Sequence, residues 1–381
     1  MEIALKNAEK FSDSEPLKMQ LNQNEFDRLK TLRLSLTAQC NLRCIYCTEP
    51  AITSALENKK ENQKEDSKEK HYAKRNNENQ TIKNIKSNDD LNFHSEAFTN
   101  NSIKSPSSSY RSTAEILRVV ESLHKIIDFN KIRITGGEPT LSKNLLRIVK
   151  SLSDLGINDI RMTTNGIYLK TLSEDLVRAG LKSVNISLDA LDPKVFHSIT
   201  GEDVLPLVLN GIEAALNSGL EVKLNTVLIA NVNETEIIPI LEYAMQRNII
   251  VRYLELMAMG HSIDNHKDYL FPRDLILKKI TEKYNVTPLG RKSGSTASLW
   301  SITNKPSFGI ISNYSDPFCM DCDRLRMDAH GKILGCIGTD EEIPILSSET
   351  TVLKEALHKA IEQKEEHHFT GSSRSMKSIG G

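Results

Sequence analysis

Six cysteines fall in two groups of three, far apart in the chain. Cys40, Cys44 and Cys47 stand with three and then two residues between them, directly after the run Leu32-Arg33-Leu34-Ser35-Leu36-Thr37. A loop this tight can wrap three thiolates around three corners of a four-iron cluster, leaving the fourth iron without a protein ligand. An iron with an open position is a place where a small molecule can bind and be reduced. Cys319, Cys322 and Cys336 form the second group, the last of them fourteen residues past Cys322. A repeated, incomplete ligand set suggests a second cluster. Structural zinc normally takes four protein ligands; neither group has a His at a natural fourth spacing, His330 being the nearest to the second. Disulfides need an oxidising compartment, which nothing in the sequence suggests. Iron–sulfur is the reading for the first group. The second alone is balanced against zinc and disulfides, and the first tips it toward iron.

Other residues suit a phosphate-bearing ligand. Arg33 and Arg133 sit in runs that are otherwise largely apolar, where a guanidinium is costly unless paired. Lys131, two residues from Arg133, shares its strand face, and Lys223 and Arg252 occupy later runs of the same kind. Any one alone reads best as a surface salt bridge; several converging on one end of a fold suit bidentate phosphate binding. Arg324-Leu325-Arg326 follows Cys322, and in extended backbone Arg324 and Arg326 point the same way. Gly136-Gly137-Glu138-Pro139 alone is a turn, although its glycines also let backbone approach a ligand closely. The polar tail from Ser372 ends in Gly380-Gly381, and fraying is its default.

Hydrophobic period shows what would position these groups. Six β-type runs (32–37, 131–135, 160–164, 183–189, 221–229 and 249–257) alternate with helical patterns at 114–127, 145–155, 172–179, 204–218 and 234–246. Such alternation predicts parallel strands with right-handed crossovers, here an α/β barrel of six units that is not fully closed. The active site belongs at the C-terminal strand ends, where the first cysteine loop falls. From 258 onward the pattern changes. Residues 293–300 and 308–311 read as short antiparallel strands, so the expected division is 1–257 and a smaller α+β domain over 258–381 that closes the open side. Residues 56–109 are rich in Asn, Lys, Glu and Ser with few apolar residues, and are expected to be an insertion, disordered at least across 56–90 and transiently helical at most near 91–98. A solvated loop is its plain reading; binding RNA or a partner is the other.

The chain has 381 residues and a net charge of −1, enough length for one large or two ordinary domains and no global basic field to gather nucleic acid. Met1–Asn7 carries mixed charges without a signal-peptide pattern, and no apolar stretch is long enough to span a bilayer. The expectation is a cytoplasmic protein with reduced thiols, no nucleic-acid partner and no membrane.

On the two cysteine groups, Gly136-Gly137-Glu138-Pro139, Arg324-Leu325-Arg326 and the final glycines, the chain resembles the GTP 3′,8-cyclase family (molybdenum cofactor biosynthesis protein A) of the radical S-adenosylmethionine (SAM) superfamily. The resemblance implies an incomplete (βα)6 TIM-type barrel and two [4Fe–4S] clusters. It implies SAM contacts at Tyr46, Gly137, Ser187 and Met257, although Met257 would otherwise read as core. It further implies GTP contacts at Arg33, Arg133, Thr163, Lys223, Arg324, Leu325 and Arg326, with Lys131 and Arg252 as phosphate neighbours. In such enzymes the first cluster splits SAM, the 5′-deoxyadenosyl radical takes hydrogen from C3′ of GTP held at the second cluster, and C3′ closes on C8. No protein side chain need be catalytic. The tail with Gly380 and Gly381 is expected to reach the active site. Implied partners are GTP, an electron donor such as flavodoxin or ferredoxin, and the cyclic pyranopterin monophosphate synthase that takes the product; a homodimer is compatible. Asp323 stands where the family often has Asn, and Thr48-Glu49-Pro50 departs from its usual Met-Pro. Rival readings are a peptide-modifying radical SAM maturase and a non-catalytic metal-stabilised binding protein.

Overall fold

A computed structural model describes residues 26–47, 111–365 and 369–380. The expectations for 56–109, for the N-terminus, for Thr48-Glu49-Pro50 and for Gly381 lie outside the described residues.

One sheet runs through the molecule. Its first six strands are β1 (Thr31–Ser35), β2 (Lys131–Thr135), β3 (Ile160–Thr164), β4 (Ser183–Ser187), β5 (Glu221–Leu228) and β6 (Ile250–Glu255). They pair in chain order and parallel. Six further strands follow: β7 (Val286–Gly290), β8 (Ser298–Ile302), β9 (Lys305–Ile311), β10 (Arg324–Met327), β11 (Lys332–Leu334) and β12 (Ile343–Pro344). Among the described residues the sheet order is β12-β11-β10-β1-β2-β3-β4-β5-β6-β9-β8-β7.

The principal helices are α1 (Thr113–Ile127), α2 (Leu145–Asp154), α3 (Leu169–Ala179), α4 (Pro193–Thr200), α5 (Leu205–Asn217), α6 (Ile237–Gln246), α7 (Arg273–Thr281), α8 (Thr350–Glu365) and the short α9 (Met376–Ile379). Local chemistry sets their starts. Ser112 and Glu115 close a capping box on α1, and Asp192 caps α4 just before Pro193, where proline's missing N–H costs nothing. Among the described residues, no helix is long and apolar enough to cross a membrane.

Strand alternation explains the barrel. Leu32 and Leu34, Ile132 and Ile134, Ile160 and Met162, Val184 and Ile186 are all fully buried in the layer under the helices. Between them stand Arg33, Arg133, Arg161, Thr163, Asn185 and Ser187 on the opposite, inner face. Parallel strands covered on both faces usually read as continuous apolar runs. Here every second residue is polar, so the lumen is built to meet a polar ligand.

The C-terminal part differs from expectation in two ways. The stretch expected as a strand at 293–300 becomes extended only from Ser298. The antiparallel pairs β7–β8–β9 and β10–β11–β12 exist, but β9 lies parallel to β6 and β10 parallel to β1. A six-stranded open barrel leaves two edges of unpaired backbone groups, and β9 and β10 satisfy one edge each. Chain after residue 257 thus flanks the barrel on both sides. Helix α4 was not anticipated; its eight residues are too few for the period to stand out.

Candidate active site

The first cysteine loop hangs from the end of β1 and is fixed at three places. Arg43 and Ile45 donate backbone N–H groups to Thr200 and Ile199, both at 2.9 Å, and Ile45 packs with Ile199, Ile229, Val232 and Leu256. Cys47 N–H closes a turn on Cys44 O at 2.8 Å. Below the loop lies Gly136-Gly137, where Gly137 donates to Thr37 O at 2.6 Å and Glu138 to Gln39 O at 2.7 Å. A Cβ on Gly137 would sit 2.2 Å from Gln39 O. Sequence reasoning gave these glycines a ligand to approach; what comes closest is the backbone leading into the cysteine loop.

Cys40, Cys44 and Cys47 line one cavity, together with Tyr46, Gly137, Thr163, Ser187 and Met257. Burial pushes all three thiols up, Cys44 well above its ordinary value and Cys47 to about 12, and mutual repulsion and Asp189 add to the rise in both. Thiolates in this position therefore require a cationic partner. Asp189 accepts from Tyr46 OH at 2.6 Å and from Val227 N–H at 2.8 Å, and burial still lifts its carboxyl to about 6. Glu138 is buried, accepting from Thr164 Oγ1 at 2.7 Å and from Asn165 N–H at 2.7 Å. Among the described residues the buried Thr163 hydroxyl and Asn225 Oδ1 have no hydrogen-bond partner, as groups awaiting a ligand would.

The lumen beside this cavity is crossed by a row of arginines. Arg326, Arg33, Arg133 and Arg161 occupy the same register on four adjacent strands. Like charges opposite one another on neighbouring strands repel. Burial and the neighbouring guanidiniums hold Arg33 well below its ordinary value, Arg133 and Arg326 near 10, and Arg252 near 9. Arg161 is answered by Asp159 at 2.6 and 3.0 Å. Arg252 reaches Asn185 Oδ1 at 2.6 Å, yet among the described residues its Nε and that of Arg324 have no hydrogen-bond partner. Lys131 is 4.0 Å from Asp159 and Lys223 pairs with Glu221, so both lie toward the outer end of the set.

Cys319, Cys322 and Cys336 line a second cavity with Arg324 and Arg326, and Met257 lines both cavities. Burial opposes ionisation of Cys322, but Arg324 and Lys364 outweigh it and bring the thiol down to about 7. Leu325 points away from the second cavity. It is fully buried in the main apolar core, opposite Leu32, because alternation turns it away from Arg324 and Arg326; only its backbone can meet a ligand. Asp323, the departure from the family pattern, bonds β10 to β1 by accepting from Thr31 Oγ1 at 3.0 Å and from Lys30 and Thr31 N–H.

The tail lies across the mouth of the barrel. Ser375 Oγ donates to Cys47 O at 3.0 Å and Lys377 Nζ to Leu42 O at 3.4 Å, and Arg326 donates to Gly380 O at 2.8 Å. A side chain at Gly380 would meet Thr135 Cγ2 at 2.4 Å.

Comparison with known proteins agrees with this geometry. Residues 34–244 match the family model described as the radical SAM superfamily, and residues 249–370 the one described as Molybdenum Cofactor Synthesis C. A GTP 3′,8-cyclase of Campylobacter jejuni subsp. doylei is 33% identical over 84% of this chain and 83% of its own. The chain belongs to the GTP 3′,8-cyclase family. The Helicobacter pylori cyclase is 37% identical over 68% of this chain and 82% of its own. A cyclase of Sulfurovum sp. is 41% identical over 57% of this chain and 66% of its own length.

The cyclase family uses SAM and two [4Fe–4S] clusters, by a radical SAM mechanism in molybdenum cofactor biosynthesis. Each cysteine trio fits a cluster, offering three sulfurs on one cavity. Among the described residues, no three His, Cys, Asp or Glu side chains are disposed to hold a single metal ion. Sequence reasoning missed Arg161, Asp189 and Lys364. Arg161 was within reach, being two residues before Thr163 on β3, and Asp189 lies just past the C-terminal end of β4, where a barrel carries its chemistry. Nothing in the helical pattern marks Lys364.

Proposed function

We propose that this chain converts GTP to (8S)-3′,8-cyclo-7,8-dihydroguanosine 5′-triphosphate, acting on SAM at the first trio and on GTP at the second. The observation that carries this reading is the register-matched row Arg326-Arg33-Arg133 on the lumen face, whose end residue Arg326 lines the second cavity. Guanidiniums buried side by side need an anion of several charges, and a triphosphate supplies one.

When bound, the clusters and SAM supply the one-electron and radical chemistry. The chain's own residues hold and exclude. Cys40, Cys44 and Cys47 would ligate the first cluster, and Cys319, Cys322 and Cys336 the second. Tyr46, Gly137, Ser187 and Met257 would surround SAM, Tyr46 being oriented by Asp189. Arg33, Arg133, Arg252, Arg324 and Arg326 would grip GTP, with Thr163, Lys131 and Lys223 nearby. Met257, shared by both cavities, would stand where the two ligands meet, and the tail would close the mouth against water, so that proximity and dryness favour the intended transfer. A low-potential flavodoxin or ferredoxin would bring the electron, a cyclic pyranopterin monophosphate synthase would take the product, and the reduced thiols suit the cytoplasm.

The test is anaerobic turnover with reductant, SAM and GTP. Cyclised nucleotide and 5′-deoxyadenosine should appear together. Cys319→Ala should spare SAM cleavage more than cyclisation; equal loss of both would contradict the division of labour.

A further inference from the structure

Helix α8 ends against the second cysteine trio, and its last turn is anchored there. Gln363 accepts the N–H of Gly335, the residue before Cys336, at 2.8 Å, and donates to Glu341 O at 3.1 Å. Gly335 packs flush on Ala360 one turn earlier. The next residue, Lys364, is 7% exposed, and its ammonium lies 3.4 Å from Cys322 Sγ. Among the described residues no carboxylate pairs with it. A buried ammonium without an anionic partner is costly, and the sulfur of Cys322 is the anion within reach. No step of the proposed reaction has used this residue.

We propose that Lys364 is a positioning residue of the second metal centre, donating a charged hydrogen bond to the Cys322 sulfur and raising that centre's reduction potential. The inference rests on the reading that the second trio carries a [4Fe–4S] cluster. Cluster potentials follow net charge, hydrogen bonds to sulfur and exposure. A cation beside a ligand sulfur favours the state holding the extra electron. At the first trio the ammonium of Lys377, the cation that acts on Cys40 and Cys47, donates to Leu42 O.

The test is a redox titration followed by electron paramagnetic resonance on the anaerobically loaded chain, with iron counted in every sample. The second centre is isolated by replacing Cys40, Cys44 and Cys47 with Ala. Lys364→Met, which removes the charge but keeps the bulk, should disfavour reduction about tenfold, a midpoint about 59 mV more negative. Lys364→Arg should restore most of that shift. An unmoved midpoint in the Met variant overturns the inference, as does an equal shift in both variants, which would point to packing. If Lys364→Met loses the second centre's iron, retention by Lys364→Arg supports the role of charge and equal loss overturns it. A wild-type chain with only about four irons in total would instead overturn the two-cluster reading itself.

Discussion

Around Cys40, Cys44 and Cys47 the buried charged neighbours are the carboxyls of Asp189 and Glu138, with Lys377 reaching in from the tail. Around Cys319, Cys322 and Cys336 they are Arg324 and Lys364, with Arg326 in the same cavity. The donor sets are alike, and the electrostatic settings are opposite. Carboxyls beside a cluster disfavour the added electron and make a strongly reducing centre; cations make a centre suited to an anionic nucleotide. Met257 belongs to both cavities, so the two settings adjoin.

The comparison can be broken most severely at the sulfurs. Cys44→Ala should lower SAM cleavage by at least about a thousandfold, as expected when a unit acting together loses a member, and should halve the iron. Cys336→Ala should halve the iron as well, yet leave SAM cleavage within about tenfold of wild type. Metal analysis with a 5′-deoxyadenosine assay checks both, and matching losses would erase the distinction.

Next in size are the arginines. Arg133→Met removes one charged contact, worth about 1.5–3 kcal/mol, and should raise the KM for GTP roughly tenfold to a hundredfold while leaving that for SAM unchanged. Relief of repulsion along the row should also raise the melting temperature of the ligand-free chain. A fall in both GTP affinity and ligand-free stability would mean that Arg133 is paired within the protein.

A bulky extension after Gly381 sharpens the picture of the mouth. With Gly380 seated against Thr135 and bonded to Arg326, such a tag should depress kcat several-fold to about tenfold, comparable to the loss of a hydrogen bond or two. Full turnover would show that the tail does not close the site.

The smallest effect concerns pH. The folded carboxyl of Asp189 titrates near 6, above its ordinary 3.8. The fold therefore favours the protonated form. This contribution to stability is complete below about pH 4 and is lost as pH rises through about 6. Asp189→Asn should flatten that decline in the metal-free chain, which denaturant melts at pH 4, 5, 6 and 7 would reveal; an unchanged slope would place the titration elsewhere.

Much of this was legible because the chemistry is local in the chain. The cysteine spacings, the Gly-Gly-Glu-Pro turn and the period of each strand lie within short windows, so β2 and β3 are found where alternation puts them. What was not legible depends on contacts distant in sequence. β10 pairs with β1 across more than 280 residues of chain, as Leu32 with Leu325 shows, and that pairing aligns Arg326 with Arg33. Lys364 meets Cys322 only through the docking of α8. The direction of the Leu325 side chain was hidden for a simpler reason: a motif gives residue identities in a row, while a strand alternates their faces.

The central claim is a division of labour between two sulfur trios, and binding tests it without turnover. SAM and GTP affinities should be measured anaerobically on two loaded variants, one with Cys40, Cys44 and Cys47 replaced by Ala and one with Cys319, Cys322 and Cys336 replaced. The first should lose SAM and keep GTP, and the second should weaken GTP and keep SAM. Loss of both ligands from both variants, or of neither from either, would contradict the account.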